Sequence, residues 1–321
     1  MLQILLVTFP FFALVLAGYV AARRGYLPIV AIPGLNGFVL YFALPCMLYR
    51  FGSSTPIAQL LDGAVFAVYL LCALIMVGFA VAMTLSARTN WNDASFSALV
   101  AAFPNSGFMG IPLLVALLGP RAAGPAIITI TIDLVITSSL CIALSRLGSG
   151  QGSAGLAAKN ALKGVASNPM PWAILSGALA SALSIELPKP VMQTLGLLAD
   201  SASPVALFTI GAVLARSQMQ ASSGHAAPVP VMDYVPVALM KLILHPLLVL
   251  LVGSAAISLG LPLDKFALTV IVLVAALPSA SNVSLLAEKF EANNGRIARI
   301  ILVSTVLAFF SFAGAVKLLT Q

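Results

Sequence analysis

Polar side chains gather at two places in a chain that is otherwise almost wholly apolar. One is Asn105-Ser106, set between Pro104 and the run Gly107, Gly110 and Pro112; the other is Ser279, Ser281 and Asn282, directly after Pro278. Each proline removes a backbone donor and crowds the preceding turn, so neither stretch can be an uninterrupted helix. Amides and hydroxyls beside such breaks can hydrogen-bond a small ligand and re-satisfy the freed peptide groups. A helix restarting after a break also presents unpaired N–H groups and the positive end of its dipole, which suits an anion.

The ionisable residues are few. Asp133 stands alone in the apolar stretch 124–145. A mid-bilayer Asp costs about 2.5–3.5 kcal/mol on an insertion scale, so this one is expected to face protein or water. It is a candidate proton carrier; the competing reading bonds it to backbone freed by the break near Pro104. Asp200, four residues before Pro204, is expected to cap backbone freed by that proline or to line a cavity. Lys241 and His245 share a helix face at i, i+4 spacing, with Lys241 expected to snorkel toward the cytoplasmic side. Cys46, Cys72 and Cys141 lie inside apolar runs without metal-ligand spacing and read as buried free thiols. Asp133 and Asp200 have no flanking catalytic motif, and no two acidic residues fall within one turn of a span, which argues against an enzyme.

Composition sets the elements that must carry these groups. The 321 residues are 61% apolar and 8% charged, against about 25% charged in soluble domains. Sixteen basic and nine acidic side chains cannot cover a globule of this size, which excludes a soluble enzyme and a disordered chain. At about 20 residues per span the length accommodates roughly ten transmembrane helices. Apolar segments fall at 2–22, 29–49, 62–86, 94–118, 124–145, 168–186, 190–215, 233–258, 266–287 and 297–319. The longer connections, Arg146–Ser167 and Arg216–Pro230, read as solvated linkers. Trp91 and Trp172 near span ends read as interfacial anchors, and Arg23-Arg24 follows the first span as in a retained helix, not a cleaved signal.

The net charge of +7 comes from basic residues scattered singly, so the expected partner is the lipid bilayer and not nucleic acid. One set of alternate loops holds Arg23, Arg24, Arg88, Arg146, Lys159, Lys163, Arg216, Lys289, Arg296 and Arg299. The other holds Arg50, Arg121, Lys189, Lys265 and Lys317. The positive-inside rule puts the richer set in the cytoplasm and both termini outside.

The sequence also repeats. Leu99-Val100-Ala101-Ala102-Phe103-Pro104 matches Leu273-Val274-Ala275-Ala276-Leu277-Pro278 at five of six positions, and Pro10, Pro28, Pro45 are spaced like Pro171, Pro188, Pro204. Five spans per half force the second half to enter from the opposite side. The expected fold is therefore an all-α polytopic membrane protein of ten helices in two inverted five-helix repeats, as in many secondary transporters. The repeats cover 1–145 and 168–321, joined by a cytoplasmic linker at 146–167.

The segment Phe103-Pro104-Asn105-Ser106-Gly107-Phe108-Met109-Gly110-Ile111-Pro112 resembles the fourth-helix signature of the auxin efflux carrier family. Leu277-Pro278-Ser279-Ala280-Ser281-Asn282 is similar to its ninth-helix counterpart; Asn168-Pro169, Pro204 with Gly211, and Lys241 through Pro246 also fit. The resemblance spans essentially the whole chain. It implies a scaffold of helices 1, 2, 6 and 7 that forms a homodimer, a moving transport domain of helices 3–5 and 8–10, and broken helices 4 and 9 crossing at the substrate site. Family members move organic anions, including auxin in plants and dicarboxylates such as malonate or malate in bacteria. The short linker resembles that of a compact bacterial member, which implies the bacterial inner membrane.

The sequence thus points to a secondary transporter of a small mono- or dicarboxylate by alternating access, bound by Asn105, Ser106, Ser279, Ser281 and Asn282. Pro104, Gly107, Gly110, Pro112 and Pro278 shape the crossing, and Asp133 is the candidate for ion coupling. No cofactor is implied, and proton or sodium coupling is left open. A sodium-coupled bile-acid-type symporter or cation/proton antiporter of the same crossed-helix plan is the alternative, although such antiporters would be expected to carry adjacent acidic residues. A passive channel is the alternative from another class, but rings of charge or a repeated filter are missing from the sequence.

Overall fold

The computed structural model describes residues 2–86, 89–147, 166–222 and 229–320. Among these the chain is helical without β-strands; its two extended contacts are single bridges, Ser86 with Thr89 and Pro104 with Ser279. Among the described residues seven helical stretches are long and apolar enough to cross a membrane: Leu6–Arg23, Ile29–Ser54, Ile57–Thr84, Pro120–Ser145, Lys189–Met219, Val231–Ser258 and Asn294–Thr320. The protein is an integral membrane protein.

The remaining predicted segments are helical but shorter. Segment 168–186 is the 14-residue helix Pro169–Ala182, begun by the Asn168 side chain accepting the Met170 N–H at 3.0 Å. Segment 94–118 is broken: helix Trp91–Ala102, extended backbone at Phe103, a wide turn at Ser106–Gly110, then helix Ile111–Leu118. Segment 266–287 is likewise two helices, Lys265–Ala275 and Asn282–Lys289. Prolines 104 and 278 stand in the two gaps, as their chemistry dictates. Pro10 and Pro204, by contrast, sit inside continuous helices.

The predicted linkers fare differently. Residues 148–165, with Lys159 and Lys163, lie outside the described residues, as does Arg88. Arg216–Pro230 was expected to be a loop, yet helix Lys189–Ser222 runs on through its first part, and 223–228 lie outside the described residues. The polar tail of that helix carries no hydrophobic periodicity, so its composition reads as linker.

Among the described residues four stretches widen into π turns: Val39–Ala43, Ser106–Gly110, Asp133–Thr137 and Met240–Leu244. Three of them end two residues before a proline, Pro45, Pro112 or Pro246. A proline cannot bond the carbonyl four residues back and its ring crowds that oxygen; a wider turn moves the carbonyl away. Accordingly Leu44 N–H bonds Val39 and His245 N–H bonds Met240, each five residues back. The Asp133–Thr137 turn has no such proline. There the Ser138 N–H and hydroxyl both donate to the Asp133 carbonyl, the hydroxyl at 2.7 Å.

Two compact units emerge. The first holds Met1–Asp62, Gly107–Ile128 and Asn168–Ala227; the second holds Gly63–Ser106, Thr129–Ser167 and Pro228–Gln321. In the first, glycines let backbones nearly touch. Gly211 of helix Lys189–Ser222 faces the Val15 carbonyl of helix Leu2–Arg23, and Gly18 faces the Phe208 carbonyl in return. Gly177 and Gly52 bring helices Pro169–Ala182 and Leu44–Ser54 together in the same way. Asp200 lies here too. It pairs with Arg50 at 2.7 Å with 69% of its side chain exposed, and the helix through Pro204 stays intact, leaving no break there for it to cap. Trp172 is exposed on the same unit.

In the second unit, polar contacts fix where the two broken segments begin and end. The Asn90 side chain caps helix Trp91–Ala102 by accepting the Asp93 N–H, and the Asp93 carboxylate accepts the Asn293 N–H at 2.7 Å. Asn92 donates to the Phe290 carbonyl at 2.9 Å. Arg296, almost fully buried, reaches Thr89 at 3.2 Å and Asp233 at 3.1 Å. The entrance of one broken segment is thereby tied to the exit of the other.

Candidate functional site

Pro104 and Pro278 end their helices at places that meet. The Asn105 N–H donates to the Pro278 carbonyl at 2.8 Å, and the Ala280 N–H donates to the Phe103 carbonyl at 2.9 Å. The two breaks thus form a minimal antiparallel pair, Pro104 opposite Ser279. Backbone groups that the prolines remove from their helices satisfy one another, as buried peptide groups must. Ser106 closes the turn after Pro104, its N–H 2.8 Å and its hydroxyl 3.4 Å from the Pro104 carbonyl.

Of the predicted site residues, Pro104, Asn105 and Ser106 come together with Pro278 and Ser279, all buried. The Ser279 N–H is held by the Ser304 hydroxyl at 3.2 Å, while its own hydroxyl is buried with no partner among the described residues. An orphaned buried hydroxyl costs about 1–3 kcal/mol. Ser281 and Asn282 are half-buried at the start of helix Asn282–Lys289, whose Val283 and Ser284 N–H groups donate to the Ala280 and Ser281 carbonyls at 3.3 and 3.2 Å. Gly107 and Gly110 are buried in the π turn that leads into helix Ile111–Leu118, with Pro112 at its second position.

Asp133 is elsewhere in the second unit. Its carboxylate does not bond the freed backbone near Pro104. It accepts from the Tyr69 hydroxyl at 2.9 Å and the Thr137 hydroxyl at 3.2 Å, and the side chain is fully buried. Lys241 does not snorkel. It is fully buried, with its ammonium 2.5 Å from the Ala275 carbonyl and 3.2 Å from His245 Nδ1. The π turn at Met240–Leu244 places Lys241 toward the end of helix Lys265–Ala275, where unpaired carbonyls attract a cation. His245 is also fully buried, its ring 6.0 Å from that of Tyr69.

Sequence reasoning missed Tyr69, Thr137, Ser138 and Ser304. Tyr69 had a signal, a lone hydroxyl in a long apolar run, but its pairing with Asp133 crosses from one span to another. Among the described residues no three His, Cys, Asp or Glu side chains gather into a metal set, and Cys46, Cys72 and Cys141 are free thiols.

Comparison with known proteins places this architecture. A profile of the family described as "Membrane transport protein" matches residues 4–316. The chain is 30% identical over 319 residues to the "Putative malonate transporter" of Rhizobium meliloti (strain 1021), covering 97% of this chain and 94% of that protein. It is 28% identical over 289 residues to the uncharacterised transporter YfdV of Escherichia coli (strain K12), covering 88% and 87%. An uncharacterised transporter of Methanothermobacter thermautotrophicus is 26% identical over 305 residues, covering 93% and 92%. With the match running nearly end to end, the chain belongs to the membrane transport protein family, which includes the auxin efflux carriers that its broken segments resemble.

Proposed function

We propose that the protein is a secondary transporter that carries a small organic carboxylate across the bacterial cytoplasmic membrane by alternating access. The observation that carries this reading is the antiparallel pairing of the two breaks with the orphaned Ser279 hydroxyl beside it. Unwound backbone at membrane depth survives only inside protein or against a watery cavity, and broken helices of this kind are where transporters hold substrates. Asn105, Ser106, Ser279, Ser281 and Asn282 supply the hydrogen bonds, and the start of helix Asn282–Lys289 supplies partial positive charge. The relative named for malonate favours a dicarboxylate.

The wider plan belongs to the same proposal: ten spans in two inverted repeats, both termini outside, and a homodimer through the scaffold. One compact unit carries residues 1–62 and 168–227, the sequence's spans 1, 2, 6 and 7; most of the remaining spans fall in the other, which supports a scaffold and a transport part. Residues 107–128 group with the first unit, so the division cuts through spans 4 and 5. Asp133 carries a coupling proton in this reading, and sodium is the alternative species.

The test is malonate binding by isothermal calorimetry on purified protein. Asn105→Ala removes one hydrogen bond to a charged ligand, about 1.5–3 kcal/mol, so affinity falls roughly tenfold to more than a hundredfold. Asn282→Ala does likewise if both repeats contribute. Native affinity in both variants would move the site away from the breaks.

A further inference from the structure

Three helical stretches of the second unit bring ionisable side chains into one buried cluster: Tyr69, Asp133, and Lys241 with His245. Lys241 has the widest reach. Its ammonium donates to the carbonyl of Ala275, the last residue of helix Lys265–Ala275. Three residues further on, the Pro278 carbonyl accepts the Asn105 N–H of the crossing. The same ammonium lies in Coulombic range of the Asp133 carboxylate, which Tyr69 links back to the His245 ring. When His245 Nδ1 accepts from the ammonium, the ring hydrogen sits on Nε2, and that nitrogen is buried without a partner among the described residues.

We propose that Lys241 is a positioning residue: it is the counter-charge of Asp133 and, through the Ala275 carbonyl, it passes the charge state of Asp133 to the crossing. The titratable groups facing the pair are Tyr69 and Cys72 from helix Gly63–Thr84, Cys141 from Asp133's own span, and His245 beside Lys241. With Asp133 ionised the pair sums to zero, and a fully buried cation is tolerated because it is compensated. When a proton from water adds to a carboxylate oxygen of Asp133, the ammonium keeps only neutral partners. The cluster then carries one net positive charge, and a carboxylate monoanion at the crossing restores neutrality. Proton and anion therefore bind together instead of excluding one another. This rests on the crossing being the anion site and Asp133 the proton carrier.

The test is free of substrate, so its outcome does not depend on whether the crossing binds a carboxylate. Thermal unfolding is measured in detergent for Asp133→Asn, Lys241→Met and the double variant. Lys241→Met leaves an uncompensated carboxylate and lowers the midpoint by roughly 5 °C or more. Adding Asp133→Asn removes the orphaned charge, so the double variant melts above Lys241→Met alone. A double variant melting at or below Lys241→Met overturns the proposal. Should Lys241→Met fail to fold, recovery of folded protein in the double variant supports it and continued misfolding overturns it. The link to the crossing is read by amide exchange. Loss of the ammonium frees the Ala275 carbonyl, so exchange across residues 276–283 and at Asn105 speeds by about tenfold in the double variant. Unchanged protection there overturns the link.

Discussion

Asp133 is dear to bury. Its ionised form costs about 2.5–3.5 kcal/mol on a membrane-insertion scale, and the protein sets against that two hydroxyls, from Tyr69 and Thr137, together with the nearby Lys241 ammonium. A carboxylate needed only for packing could be replaced by Asn at little loss, since the amide keeps the shape and can still accept from Tyr69. A carboxylate that moves protons could not. Asp133→Asn is therefore expected to exchange substrate across proteoliposome membranes at near-native rate yet fail to concentrate it when a pH gradient is imposed without sodium. Native accumulation under that gradient would remove Asp133 from coupling. The sequence already marked Asp133, because a lone acid in an apolar run is visible to inspection. It did not mark the groups that hold it. The Tyr69 hydroxyl, on a different span, leaves no trace in local spacing, and Lys241 was misread because the distance of a side chain from the membrane surface was judged along its own helix. Its partner, the Ala275 carbonyl, belongs to another segment altogether.

At the scale of elements, proline was the reliable guide where it ended a helix. Pro104 and Pro278 announced the two gaps, and Pro45, Pro112 and Pro246 lie just beyond wide turns. The wide turn at Asp133 was not legible, since a serine hydroxyl maintains it and serine does the same in many ordinary helices. Glycine contacts were equally silent in the sequence, yet they set how closely the first unit packs. A methyl at Gly211 would overlap the Val15 carbonyl; at Gly177 it would sit 2.6 Å from the Tyr49 carbonyl; at Gly52 its nearest neighbour would be the Gly177 Cα at 3.3 Å. Overpacking of this kind costs about 1–3 kcal/mol and rises with overlap. Alanine at these positions should lower the thermal midpoint in the order Gly211, Gly177, Gly52, with Gly52→Ala closest to native. Equal losses at all three would mean that the backbones yield freely.

For the whole molecule, orientation follows from charge and not from packing. Single cysteines at Gly150 and Ser222, on a background lacking Cys46, Cys72 and Cys141, should react with permeant reagents but not with impermeant ones added to intact cells. Labelling from outside would invert the proposed topology. The repeated Leu-Val-Ala-Ala motif and the proline spacing divide the sequence into two halves, whereas each compact unit draws on both; the edges at 106–107 and 128–129 fall inside apolar segments without a change of composition and were not legible. The pairing of the two breaks has a consequence for biosynthesis. While the first half of the chain emerges from the ribosome, the Phe103 carbonyl and the Asn105 N–H have no partner of their own, since both are met by residues near Pro278. Bare peptide groups in hydrocarbon cost several kcal/mol each. The segment around Pro104 must therefore wait, sheltered by water or by the insertion machinery, until the segment around Pro278 has been made, and a chain interrupted before Ala280 lacks the partners that these groups find in the finished fold.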